Sequence, residues 1–391
     1  MMTVISRLRE VAVVRRGNKS DRILIGAMVL LSAIGLMMIY SATRSSGTFS
    51  MERQMIFVAA GMIILLVVSN IDYREYRAML PVISVVILVL LGAVFLFDPV
   101  SDGGVGMAYR WIPLGFFNLQ PSEFAKVAVI LVLASLLSPQ RNTDEPLSRQ
   151  LSWKKLGLAL LVIGVPGIMI YEQPDLGTAL VFAFVMMVMV FAAGATWRQM
   201  LTLIGTAVLG AVVVVQMGLL SDYQMRRIQC LFDPVSDPEG ACYQLRQSIR
   251  AIGAGQLFGT GFLADQSMTS FEYVPEQQTD FIFTAVAEQF GLLGSLVVLA
   301  CFAVIVWRLL VIAAAARDRF GALIAVGVAA MMMFHVFVNI GMTIGIMPVT
   351  GIPLPFLSQG GSFYMAMALA LGIANSVWLM RTPVPSENQL L

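Results

Sequence analysis

Ten apolar runs decide what this chain can fold into. They fall near residues 23–40, 55–68, 79–97, 124–137, 156–171, 177–194, 201–220, 281–311, 322–346 and 363–380. A helix satisfies its own backbone polar groups, and about 20 apolar residues suffice to cross roughly 30 Å of hydrocarbon. The runs therefore predict an all-α polytopic membrane protein with about ten transmembrane helices. Composition agrees: 58% of the 391 residues are apolar, 12% are charged, and the mean hydropathy is +0.84. A net charge of +2 gives no reason to expect a nucleic-acid partner.

Orientation follows from the basic residues, which short cytoplasmic loops hold in excess. With the amino terminus inside, 17 of the 25 Lys and Arg residues fall on the inner side, including Arg7, Arg9, Arg15, Arg16, Lys19, Arg22, Arg141, Arg149, Lys154 and Lys155. Both termini are expected in the cytoplasm. The organisation expected is a basic amino terminus over residues 1–22, a single membrane domain over 23–380, and a cytoplasmic tail over 381–391. The basic start and full-length first run, with no small-residue cleavage site, predict a retained span instead of a signal peptide. Most acidic residues between spans fall outside, from Glu52 to Asp280. Solvated loop charge explains any one of them; their concentration points to chemistry on the outer face.

The longest polar stretch, 221–279, forms a large outward loop between the seventh and eighth helices. Cys230 and Cys242 share it and could pair in an oxidising compartment, whereas Cys301 lies inside a span. The segment YQLRQSIRAI places Leu245, Ile249 and Ile252 at helical spacing beside Arg246 and Arg250, and predicts a short interfacial or re-entrant helix. FDPVSD occurs at residues 97–102 and again at 232–237; nothing else aligns around the copies, which read as coincident turn chemistry. GTGFLA fits a dinucleotide glycine pattern, but no strand precedes it and that reading is set aside.

Polar groups at the margin of the hydrocarbon are costly unless paired or lining a cavity. In QPSEFAK, Glu123 and Lys126 share a helix face at i,i+3 spacing: either a self-neutralising ion pair, or a basic side chain aimed into an outward cavity to hold an anion. YEQPDLGT puts Asp175 in a tight turn. GIPLPFLSQGGS cannot be regular helix, and irregular backbone at that depth lines protein or a cavity. In FEYVPEQQTDFIF, Thr279 or Asp280 would cap the next helix, unless Asp280 is used for chemistry. Glu288, two turns deeper, must find a partner or a proton, and His335 reads as a satisfied packing residue. No Cys or His spacing suggests zinc.

RWIPLGFFNLQPSEFAK, YEQPDLGTA, the loop from RIQCLFDPVSDPEG through QSIRAIGAG, VPEQQTDFIF and PVTGIPLPFLSQGGS stand in the order, and at the span ends, of the SEDS proteins (shape, elongation, division, sporulation). The chain resembles that family over nearly all its length, and within it the RodA-type elongation branch more than the FtsW type. The resemblance implies a peptidoglycan glycosyltransferase that polymerises lipid II on the outer face of the bacterial cytoplasmic membrane. It further implies a class B penicillin-binding protein and the elongation machinery as partners. The family's essential carboxylate maps onto Asp280, and Arg110, Glu123, Lys126 and Asp175 are expected to line its cavity. Two departures are Gln359, where the family pattern has Tyr, and the two loop cysteines. Arg110 and Lys126, with Arg246 and Arg250 behind them, are the expected diphosphate ligands. A divalent cation, Mg²⁺ or Mn²⁺, could share that task, and no organic cofactor is expected. The alternatives are a lipid II flippase or a non-catalytic scaffold for the penicillin-binding protein.

Overall fold

The computed structural model describes residues 19–44, 50–97, 100–101, 107–138, 151–218, 222–233, 241–265, 267–271 and 273–381. Most of the basic amino terminus, Arg141, Arg149, parts of both FDPVSD copies and the tail beyond Arg381 lie outside the described residues. Among those described, twelve α-helices follow one another: α1 (Arg22–Thr43), α2 (Ser50–Ser69), α3 (Tyr73–Ala93), α4 (Pro121–Leu137), α5 (Trp153–Tyr171), α6 (Leu176–Ala192), α7 (Trp197–Gln216), α8 (Asp222–Phe232), α9 (Ala241–Gly255), α10 (Ile282–Ala315), α11 (Arg319–Thr343) and α12 (Gly361–Leu379). Two small antiparallel hairpins, Val100–Ser101 with Met107–Ala108 and Ile112–Pro113 with Asn118–Leu119, bridge α3 and α4.

Each of the ten apolar runs forms helix. Eight of the described helices are long and apolar enough to cross a membrane, while α4 and α6 have 17 residues each, about 25 Å and near the short limit for a span. The starts follow local chemistry. Asp21 accepts from the backbone N–H of Ile23 and Leu24, and Thr196 with Gln199 forms a capping box. Pro121 opens α4, where its missing N–H costs nothing.

Burial sorts centre from rim. Within the spanning windows 83% of α12 and 67% of α11 are buried, against 17% of α2, α3 and α7. The rim helices instead present Ile63, Val67, Val82, Val89 and Leu209 outward, as expected where lipid is the solvent. Helix α4 packs among α3, α5, α6, α11 and α12. The large loop yields two helices instead of the single one expected. The predicted helix lies within α9, which docks on α10 and α11, and α8 packs on α9.

The eighth expected span is not one helix. Gly291 has non-helical dihedrals inside α10 (φ 65, ψ −160). An unbroken helix of 34 residues would be about 51 Å long, far beyond the hydrocarbon thickness, whereas residues 292–315 alone suffice to span. The loop after α9 completes the break. Leu292 and Leu293 N–H donate to the carbonyls of Gln256 (2.9 Å) and Leu257 (3.2 Å), and the carbonyls of Glu288 and Gln289 accept from the N–H of Thr260 (2.9 Å) and Gly261 (3.1 Å). No water is needed where apolar surroundings would withhold it. The outer segment is held near the outer ends of two different helices, Asp280 by Asn339 of α11 and Gln289 by Ser41 of α1. Every side chain from Ile282 to Gln289 is buried. Gly259, the first glycine of the discarded GTGFLA pattern, serves this close approach, since an added Cβ there would meet the Gln289 carbonyl.

Candidate active site

Asp280 is half-buried and lies two residues before α10, yet it does not cap it: the N-cap is Phe281, with no side-chain bond. Thr279 does not cap it either, since its hydroxyl donates to the Glu276 carbonyl at 3.0 Å. The capping alternative for both residues is overturned. Asp280 is placed through its backbone: its N–H donates to the Glu276 carbonyl (3.2 Å), and its carbonyl accepts from Asn339 Nδ2 (2.7 Å). The same Asn339 amide donates to Ile352 O (2.7 Å), so one fully buried side chain on α11 joins Asp280 to the irregular loop before α12. The carboxylate faces that loop. A Cβ placed on Gly351 would stand 3.3 Å from Asp280 Oδ2. The Gln359 N–H donates to Gln278 O (2.9 Å) from the other side. The contact is through backbone, which is why Gln in place of the family's Tyr leaves it intact.

One helical turn before Asn339, His335 ties the same loop to α4. Its Nδ1 lies 3.1 Å from Pro353 O and its Nε2 3.3 Å from Lys126 Nζ. The carbonyl can only accept and the ammonium can only donate, which fixes the neutral tautomer with the proton on Nδ1. Lys126 is 2% exposed, paired with Glu123 at 2.7 Å and set 5.5 Å from the Phe363 ring centroid. The ion pair of the first reading is formed, and both of its side chains are buried. Asp175 caps α6, its Oδ1 accepting from Thr178 N–H (3.1 Å) and its Oδ2 from the Thr178 hydroxyl (2.8 Å). Half-buried Arg110 donates to the carbonyls of Gln173 and Pro174, clasping the turn ahead of α6. Arg246 and Arg250 sit one turn apart on α9, half-buried and exposed respectively.

Glu288 finds its partners in the outer loop. Its carboxylate accepts from the N–H of Met268, and from both the N–H (3.0 Å) and the hydroxyl of Thr269. Gln277 Nε2 then bridges Thr269 and Thr284, and Thr284 donates to Phe281 O. This chain of bonds fastens the loop to the outer segment behind Asp280. Removing the carboxylate leaves buried donors without an acceptor, at about 1–3 kcal/mol each. Glu288→Ala should therefore lower the melting temperature and speed amide exchange at Met268 and Thr269; unchanged exchange there would refute the clasp.

Asn339, His335 and Arg227 escaped the sequence reading as site residues. A lone amide in an apolar run carries a signal, because it must be bonded somewhere, but not the identity of its partner. Cys230 and Cys242 are joined in a disulfide, both fully buried in a small outer core with Leu245, Val274, Phe281, Met342 and Val349.

The family profile of the FtsW/RodA/SpoVE cell cycle proteins matches residues 21–382. The chain belongs to that family. It is similar to the peptidoglycan glycosyltransferase MrdB of Escherichia coli K12, with 39% identity over 84% of this chain and 85% of the relative. It is similar also to the stage V sporulation protein E of Bacillus subtilis 168, with 36% identity over 91% of this chain and 96% of the relative. Among solved structures, one describing how a peptidoglycan synthase complex coordinates polymerization and crosslinking superposes with a TM-score of 0.76 at 27% identity, covering 92% of this chain and 98% of that one. The rod shape determining protein RodA of Thermus thermophilus superposes with a TM-score of 0.67 at 26% identity, covering 94% and 99%.

Proposed function

We infer that the chain is a multi-pass protein of the bacterial cytoplasmic membrane that polymerises lipid II into glycan strands on the outer face during cell elongation, with Asp280 as general base. The observation that carries this reading is a carboxylate that does not cap the helix it precedes and is turned toward the 351–354 loop, with the Asp280 carbonyl held by Asn339. The names of the relatives support the reaction class.

In the reaction, Asp280 takes the proton of the acceptor GlcNAc 4-hydroxyl as that oxygen bonds to the anomeric carbon of the donor MurNAc. The bond from that carbon to the diphosphate breaks, and the lipid diphosphate leaves with inversion at carbon. The residues engaged elsewhere shape the surroundings. Glu123, Lys126 and His335 hold α4 to α11, and Arg110 and Asp175 hold the turn before α6. Among the described residues, no group of three or more His, Cys, Asp or Glu side chains converges. A divalent cation, if used, would be held largely by the diphosphate itself with few protein carboxylates, and no step is assigned to one. Likeness to a synthase complex supports a class B penicillin-binding protein as the working partner.

Incubating the purified protein with lipid II, with and without that partner, and resolving products on a gel tests the reading. Glycan strands are expected. Transport of lipid II across vesicles without strands, or neither activity, would overturn it in favour of a flippase or a scaffold.

A further inference from the structure

Arg227 and the disulfide three residues after it have no part in the chemistry above. Arg227 is half-buried on α8. The same Gly351 Cβ position that stands 3.3 Å from Asp280 Oδ2 stands 3.6 Å from Arg227 Nη1. Carboxylate and guanidinium therefore abut one point of the 351–354 loop. Two of the cations first considered for an anion are engaged at other sites, Lys126 with Glu123 and His335, and Arg110 with two turn carbonyls. Arg227 is the basic side chain beside the proposed base itself.

Its placement depends on what holds α8. An 11-residue helix is too short to persist alone in water, and α8 rests on α9. Helix α9 is fixed to the bundle: Ser248 Oγ donates to Thr343 O (2.6 Å), and Leu245 and Ile249 pack at Gly345. The Cys230–Cys242 bond ties α8 to α9 within the outer core that also contains Phe281, the neighbour of Asp280.

We propose that Arg227 grips the diphosphate of the lipid-linked donor beside Asp280, and that the Cys230–Cys242 disulfide is the brace that keeps it there. The proposal rests on the transferase reading, which puts a lipid diphosphate at Asp280. A guanidinium matches phosphate oxygens in a two-pronged contact that an ammonium cannot reproduce. The departing diphosphate gathers negative charge, which a fixed cation within the same site stabilises.

The test measures binding of undecaprenyl diphosphate to the full chain in detergent, which involves no turnover. Arg227→Gln should bind roughly 10- to 100-fold more weakly, the loss of a charge-assisted contact, and Arg227→Lys should fall between. The Cys230→Ser/Cys242→Ser protein should also bind more weakly, as should the wild type after TCEP has reduced the disulfide to two thiols, while TCEP should change nothing in Arg227→Gln. Thermal unfolding of each variant separates misfolding from lost contact, with Arg227→Lys reporting should the Gln variant not fold. Wild-type affinity in Arg227→Gln overturns the grip. Equal weakening of wild type and Arg227→Gln by TCEP overturns the brace. Diphosphate binding without glycan strands would sink the transferase reading and spare Arg227, whereas strands from a fully active Arg227→Gln would sink Arg227 alone.

Discussion

Asp280→Asn is expected to insert, fold and melt like the parent, yet polymerise lipid II roughly 100- to 10,000-fold more slowly, the usual span for a missing general base. The contrast follows from how the residue is held. Its N–H and carbonyl bonds are kept by Asn, and α10 begins without using the carboxylate as a cap. Asn also fills nearly the same volume against Gly351, so what is lost is the ability to accept a proton. A gel of glycan products, paired with thermal unfolding in detergent, reads both halves. Near-parental polymerisation would remove Asp280 from the mechanism.

A second large effect is expected at Gly259, far from any reacting atom. Its φ is +82, and an added Cβ would enter the Gln289 carbonyl, where α10 is broken. Gly255 is similar, with Ala287 O in the way, and in both cases the obstacle is buried backbone that cannot step aside. Gly259→Ala should therefore cost about 4 kcal/mol or more, in the range reserved for severe backbone clashes, and should abolish polymerisation as the outer segment detaches. Gly253 on α9, with nothing within 4 Å of its Cβ position, is the matched control; its Ala variant should be neutral or slightly stabilising. Melting curves of the two proteins decide the matter, and equal stability would mean that the cross-braced break is not required.

The spans were legible in the sequence because hydrocarbon imposes a length and a polarity that local composition must meet. The break at Gly291 was not, because residues 281–311 read as one apolar run and its interruption is produced by hydrogen bonds from a segment 30 or so residues upstream. Asp280 stood out by position, but whether it capped a helix depended on a one-residue difference in where α10 begins. Lys126 and Glu123 were recognised as a pair from i,i+3 spacing, while their closure by His335 and Phe363 is tertiary and left no local trace. Arg227 was hidden for a similar reason. It resembles any loop arginine until the fold sets it, with Asp280, against Gly351.

The broken helix also bears on how the chain assembles. Residues 282–315 form an apolar stretch that insertion machinery would accept as one long span, and Gly291 permits a break in it without by itself setting where its first nine residues go. The carbonyls of Gln256 and Leu257 and the N–H groups of Thr260 and Gly261 do so. The outer segment and the strap after α9 therefore depend on each other, each satisfying backbone groups of the other. The Asp280 carboxylate stands just ahead of the segment whose backbone these hydrogen bonds complete, so its position depends on a strap far from it in sequence.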